Sequence, residues 1–222
     1  MTQQEPIKNM EDSLAIVRGL TFVGGYLNAY CFFTRGGAFG TFHTGNIVRV
    51  GLSVVQKDSA QFWAAMMPII GAVVGGILAN TLKLTTQEDL SYQRRVIFLQ
   101  LLTFLAVGLL LSDATNSLVN FVVPMVSMFQ LSSFRRARER AHNSTIMTGN
   151  LRTFAQLLFE MINKRTKKSV EDFFSYSFTF LSFFFGVVVG GYISVMAGKP
   201  AIWACAVVMA MILMFSRNYQ TA

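Results

Sequence analysis

The sequence predicts an all-α polytopic membrane protein, and three observations carry that prediction. Apolar residues make up 53% of the 222 and charged residues only 14%, with 21 Phe and 12 Met; a soluble domain needs more charge to cover its surface. Six apolar stretches approach the roughly 20 helical residues that a bilayer core of about 30 Å requires. Two motifs recur in the same order: Thr44-Gly45-Asn46 returns as Thr148-Gly149-Asn150, and Gly71-Ala-Val-Val-Gly75-Gly76 returns as Gly186-Val-Val-Val-Gly190-Gly191. The offset is 104 residues at the first motif (44 to 148) and 115 at the second (71 to 186), so a duplicated chain carries an 11-residue insertion in its second copy.

The elements follow in order. Residues 1–12 are polar, mixed in charge and form an N-terminal tail, with no small-residue cleavage site in the apolar stretch behind them. Residues 13–112 read as the first repeat, with spans at 13–33, 60–82 and 95–112. Residues 117–216 read as the second, with spans at 117–134, 173–197 and 201–216, and 217–222 form a C-terminal tail. Each repeat holds one further segment, residues 40–56 and 144–163, with the Thr-Gly-Asn motif inside it. The residues before each motif include β-branched and polar types suited to an extended approach, and those after it (47–55 and 151–162) read as amphipathic helix. Thr or Asn at the junction can cap the first free N–H groups, and Gly45 and Gly149 permit a sharp turn.

Charge orients the chain. The net charge of +8 is concentrated at Lys83, Arg94 and Arg95, then at Arg135, Arg136, Arg138 and Arg140, then at Lys164, Arg165, Lys167 and Lys168. Short cytoplasmic loops hold excess Lys and Arg, which puts these three segments and both termini inside. These clusters adjoin apolar spans, so they are read as membrane flanks and no nucleic-acid partner is expected. Each motif segment then begins and ends on one side, 40–56 outside and 144–163 inside. Both must dip in and return, and the two repeats are inverted.

Matching helix breaks in two halves of a membrane protein point to a transporter site, because irregular backbone at membrane depth must be buried or line a wet cavity. Two half-helix N-termini facing each other near the midplane would offer free N–H groups and partial positive charge to a small polar or anionic solute. The candidate binding residues are Asn28, His43, Thr44, Gly45, Asn46, Gln130, Thr148, Gly149 and Asn150, with Arg49 and Arg152 as further sources of positive charge. Asn28 reads equally well as a helix–helix hydrogen bond, His43 as polar lining, and Arg18 as a side chain snorkelling to the headgroups. Gly71 and Gly75, like Gly186 and Gly190, lie four apart on one helix face and let membrane helices approach closely. Cys31 and Cys205 have neither metal-ligand spacing nor a disulfide partner pattern. The sequence holds no catalytic constellation, no metal site, no cofactor motif and no phosphate-binding glycine loop, so no enzyme activity is expected. The reading is a small secondary transporter or channel, and the alternative is a non-transporting membrane scaffold or regulatory subunit.

Two resemblances stand beside this reading. Gly24-Gly25-Tyr-Leu-Asn28-Ala29, Gly37-Ala-Phe39 and Thr44-Gly45-Asn46, followed by Gln130-Leu131-Ser132, Arg135-Arg136 and Thr148-Gly149, resemble the signatures of the YoaK-like family of small bacterial membrane proteins. Asn28 stands where that family often has Asp, and Leu131 where it often has Asn. The resemblance covers nearly the whole chain and implies a multi-pass protein of the bacterial inner (cytoplasmic) membrane. An extended stretch followed by a half-helix in inverted halves is also similar to the SulP anion carriers and the nucleobase carriers. Those proteins have a separate gate domain, which implies that here a second copy supplies it and that the chain is a homodimer. The expected partners are thus the lipid bilayer, the solute and a second copy.

Overall fold

The computed structural model describes residue 10 and residues 13–85, 90–137, 140–141 and 147–217, with backbone alone for 136–137 and 140–141. The readings for the rest of the N-terminal tail, for 218–222, for Arg138 and for the approach to the second motif at 142–146 lie outside the described residues.

The chain is built from helices: α1 (Leu14–Thr34), α2 (His43–Gln56), α3 (Ser59–Thr85), α4 (Leu90–Val107), α5 (Asn116–Ser133), α6 (Met147–Lys164), α7 (Lys167–Ala197) and α8 (Trp203–Ser216). Short 3₁₀ turns at Asp113–Thr115 and Lys199–Ile202 lead into α5 and α8. A two-residue antiparallel pair, β1 (Arg136–Ala137) with β2 (Arg140–Ala141), follows α5. Two helices depart from their expected bounds. α7 starts six residues ahead of position 173 because Thr166 and Ser169 form a capping box, each side chain accepting from the other's backbone N–H. α4 spans 90–107 instead of 95–112. Its end tightens through i→i+3 bonds from Leu109 and Leu110, and at Gly108 any Cβ would overlap the Trp203 indole.

Among the described residues, three segments are long and apolar enough to cross a membrane: Ser59–Thr85, Lys167–Ala197, and Lys199–Ser216 with its leading turn. α1, α4 and α5 carry more polar residues, and these point inward: Asn28, Gln93, Gln100, Asn120 and Gln130 are all buried. The outside is apolar, with Val55, Leu84, Val195 and Met196 each more than two-thirds exposed. Polar residues inside and apolar residues outside suit a bilayer as solvent. The chain is a helical membrane protein.

One pairing occurs twice. α7 lies along α1 in the same direction, Arg18 meeting Ser175 and Thr179, and Gly186 and Gly190 meeting Phe22 and Tyr26. α3 lies along α5 in the same direction, Gly71 and Gly75 meeting Phe121 and Met125, and Lys83 meeting Ser132. A Cβ on Gly71, Gly75 or Gly186 would overlap a backbone carbonyl of the neighbour, and one on Gly190 would crowd the Tyr26 backbone and ring. Only glycine allows that approach. α1 and α5 run antiparallel through Leu20–Gln130 and Arg35–Asn120. α4 and α8 also run antiparallel, through Arg94–Ser216 and Leu105–Trp203.

One end of the bundle is closed by Arg35, a fully buried side chain that the sequence reading left in a loop. Its Nε and Nη2 donate to the Tyr30 hydroxyl at 3.0 and 2.7 Å. Nη1 donates to the Leu110 carbonyl at 2.9 Å and Asn116 Oδ1 at 3.3 Å, and Nη2 also faces the Val107 carbonyl. Val107 is the last residue of α4 and Leu110 follows it in the tightened turn, where the helix dipole favours a cation. Tyr30 passes the chain on by donating to the Lys199 carbonyl.

Candidate functional site

Both Thr-Gly-Asn motifs lie in the first turn of a helix, and neither acts as its cap. α2 starts at His43 with Phe42 as N-cap and no side-chain cap bond, so Thr44 and Asn46 are already helical. α6 starts at Met147, one residue before its motif. This corrects the expected capping role, and the reason is visible at Asn46. Its side chain turns back out of the helix, Oδ1 accepting from Phe39 N–H at 2.9 Å and Nδ2 donating to Phe39 C=O at 2.8 Å. The amide therefore copies a strand partner for the extended residues that precede α2, at a fully buried position.

Asn28 fastens the same segment from α1. Its Oδ1 accepts from the N–H groups of Thr41 and Phe42, both at 2.9 Å, and its Nδ2 donates to Thr41 Oγ1 and the Gly24 carbonyl. Thus two asparagines 18 positions apart in the chain (28 to 46) satisfy the backbone of one loop that would otherwise go unpaired. Gly45 serves this arrangement: an added Cβ would overlap the Phe42 ring and crowd that of Phe39. The two rings thereby pack against the first turn of α2.

The second motif is held differently. Asn150 Oδ1 accepts from the Tyr176 hydroxyl of α7 at 3.1 Å, and its Nδ2 faces Met147 Sδ. Among the described residues, Gly149 meets nothing that a Cβ would touch. Thr44, Thr148 and Arg152 are exposed, Asn150 is buried, and His43 is partly buried with its Nδ1 in no hydrogen bond.

Between these two helix starts lies a cavity of about 550 Å³. Phe39 and Phe42 border it from the first motif, and Met147, Thr148 and Leu151 from the second; α1 and α7 form the remaining walls. Six phenyl rings line it: Phe32, Phe33, Phe39, Phe42, Phe180 and Phe183. Of the sequence-predicted residues, Asn28 and Thr148 reach the lining, while Asn46 and Asn150 anchor the segments beside it. Gln130 lies elsewhere, in the α1–α5 seam against the Leu20 carbonyl. Arg49 is near, its guanidinium 5.9 Å from the centre of the Phe32 ring. The aromatic lining is what sequence reasoning missed. Phe32 and Phe33 were read as the end of a span, and the signal available was the run of phenylalanines at 32, 33, 39 and 42 leading into the motif.

Buried asparagines, glycine-contacted parallel helices and an aromatic cavity are the features of this helical membrane protein. The chain belongs to the family described as Protein of unknown function (DUF1275), which matches residues 16–215 and includes the YoaK-like proteins. No curated protein matches the chain. No solved structure matches it either, so the likeness to the SulP carriers gains nothing from comparison.

Proposed function

We propose that the protein is a small secondary carrier or channel whose solute occupies the cavity between the starts of α2 and α6. The observation that carries this reading is the convergence of both motif segments on one cavity large enough for a small organic molecule. The lining shifts the expected solute. Two of the candidate polar groups, on Asn28 and Asn46, are bound to backbone, and phenyl rings dominate the walls, so the body of the solute is apolar or aromatic.

In this reading α1, α3, α4, α5, α7 and α8 span the bilayer, and α2 and α6 are re-entrant half-helices of two inverted repeats. Helix direction supports it. α3, α5 and α8 run opposite to α1, α4 and α7, so the segment between α1 and α3 returns to the side it left, and the segment between α5 and α7 does the same on the other side. The basic residues at the start of α7 then lie in the cytoplasm under the charge rule.

The test is uptake into liposomes holding the purified protein, from a panel of radiolabelled polar and aromatic solutes. At least one solute should enter in a protein-dependent way, and Val187→Trp, which fills the cavity, should abolish that entry while the variant stays monodisperse. Uptake unchanged by Val187→Trp would place the pathway elsewhere. Topology has its own test, after the buried Cys31 and Cys205 are changed to Ala. Single cysteines at Lys57 and Asp113 should react with an impermeant thiol reagent on intact cells, and one at Lys167 only after lysis. Labelling of position 167 from outside would make α6 a full crossing and remove the inverted arrangement.

A further inference from the structure

We propose, resting on the cavity reading above, that the ligand is an amphipathic anion: its apolar body lies among the phenyl rings and its carboxylate or phosphate oxygens engage Arg49. Residues 13–57 contain three arginines, one lysine and no carboxylate. The three arginines differ in how they are satisfied. Arg18 donates to the Ser175 carbonyl at 3.1 Å and faces Thr179 Oγ1. Arg35 reaches five acceptor contacts at the end of the bundle. Arg49 makes no hydrogen bond and no ion pair among the described residues, although its Nε is buried.

The position of Arg49 suits a ligand of the cavity. Its guanidinium packs over the ring of Phe32, which is a wall of the cavity, and against Gly37, where an added Cβ would lie 2.8 Å from Nη2. A guanidinium has five donors and cannot be deprotonated in a protein, and leaving such donors unmet away from water is costly. Stacking on an aromatic face leaves its edge free for bidentate contact with an oxyanion. A bare inorganic anion would gain nothing from six phenyl rings. An apolar body carrying an acidic group uses both features.

A free carboxylate from water and an acidic lipid entering from the bilayer share this chemistry, and the experiment separates them. Binding of tritiated octanoate and of its neutral amide is measured on full-length protein in uncharged detergent, then in nanodiscs of phosphatidylcholine with or without phosphatidylglycerol. Octanoate should bind, Arg49→Gln should weaken it by about tenfold or more with octanamide unaffected, and Arg49→Lys should recover part of the loss. Loss of octanoate binding only in phosphatidylglycerol nanodiscs supports the site and assigns its anion to the bilayer; retention assigns it to a solute. If octanoate binds and Arg49→Gln leaves its affinity unchanged, the anion assignment is overturned and the cavity reading survives. If neither probe binds the wild type in either medium, and no panel solute is taken up, both fall together.

Discussion

The two Thr-Gly-Asn motifs are the same three residues in two environments, one packed into the fold and one bordering the cavity. At the first, Asn46 is buried and paired twice with the Phe39 backbone, and Phe39 and Phe42 close over Gly45. At the second, Asn150 is tied to Tyr176 on the neighbouring helix, a Cβ on Gly149 would touch none of the described residues, and Thr148 borders the cavity. The helices beneath differ in the same sense. Six and three residues before the matching glycines, α7 brings Phe180 and Phe183 where α3 has Ala65 and Pro68. The larger side chains of α7 give the cavity an aromatic wall on that side.

The sharpest way to break this comparison is to remove the amide that organises each half. Asn46→Ala leaves both the N–H and the C=O of Phe39 without their partner, and should destabilise the detergent-solubilised protein by about 2–4 kcal/mol. Tyr176→Phe, which deletes the corresponding tie at the second motif, should cost only about 1 kcal/mol. Thermal unfolding of the two variants measures both. Equal losses would mean that the two motifs anchor their segments to the same degree.

The glycines sharpen it further, because the expected signs are opposite. Gly45→Ala must displace the rings of Phe42 and Phe39, and overpacking of this kind costs about 1–3 kcal/mol. Gly149→Ala meets none of the described residues and replaces a glycine in a helical turn, which should stabilise by about 0.5–1 kcal/mol. Loss of stability at Gly149 would mean that the space beside it is filled by part of the chain.

Helices were largely legible in the sequence, since polarity and length fix what can lie in an apolar medium; α1, α3, α5 and α8 fall within three residues of their expected bounds. Glycine spacing revealed a close-packed face but not its partner, because Gly71 and Gly186 each pack on a helix of the other half, and periodicity within one helix carries no information about its neighbour. Arg35, just past the expected end of the first span at 33, carries no sign of burial in the sequence for a related reason. What makes its burial tolerable is the set of carbonyls at the end of α4, more than 70 residues away (35 to 107). The asparagines, expected as solute-binding residues, are buried. The hydrogen bonds of Asn28 and Asn46 run to the backbone of an irregular segment that has no sequence signature of its own.

The smallest expected effect lies where the two halves are joined on the surface, at the pair between Lys199 and Asp113. Lys199 Nζ donates to Asp113 Oδ1 at 2.6 Å and also to the Leu111 carbonyl at 2.8 Å. That hydrogen bond, then the Lys199 charge, hold the Asp113 carboxyl below the usual carboxylate range. A carboxyl depressed in the folded state contributes stability above its unfolded value and loses it as pH falls through the folded one. The difference in unfolding temperature between the wild type and Asp113→Asn should therefore be constant from about pH 5 upward and should shrink below about pH 4. It should also be slight throughout, since Asp113 is exposed and screened by solvent, and Lys199 keeps the Leu111 carbonyl when the carboxylate is gone. If Asp113→Asn instead destabilised the protein as much as Gly45→Ala, the turns joining the halves would matter as much as the motif segments within them. Stability would then not distinguish the first motif from the rest of the fold.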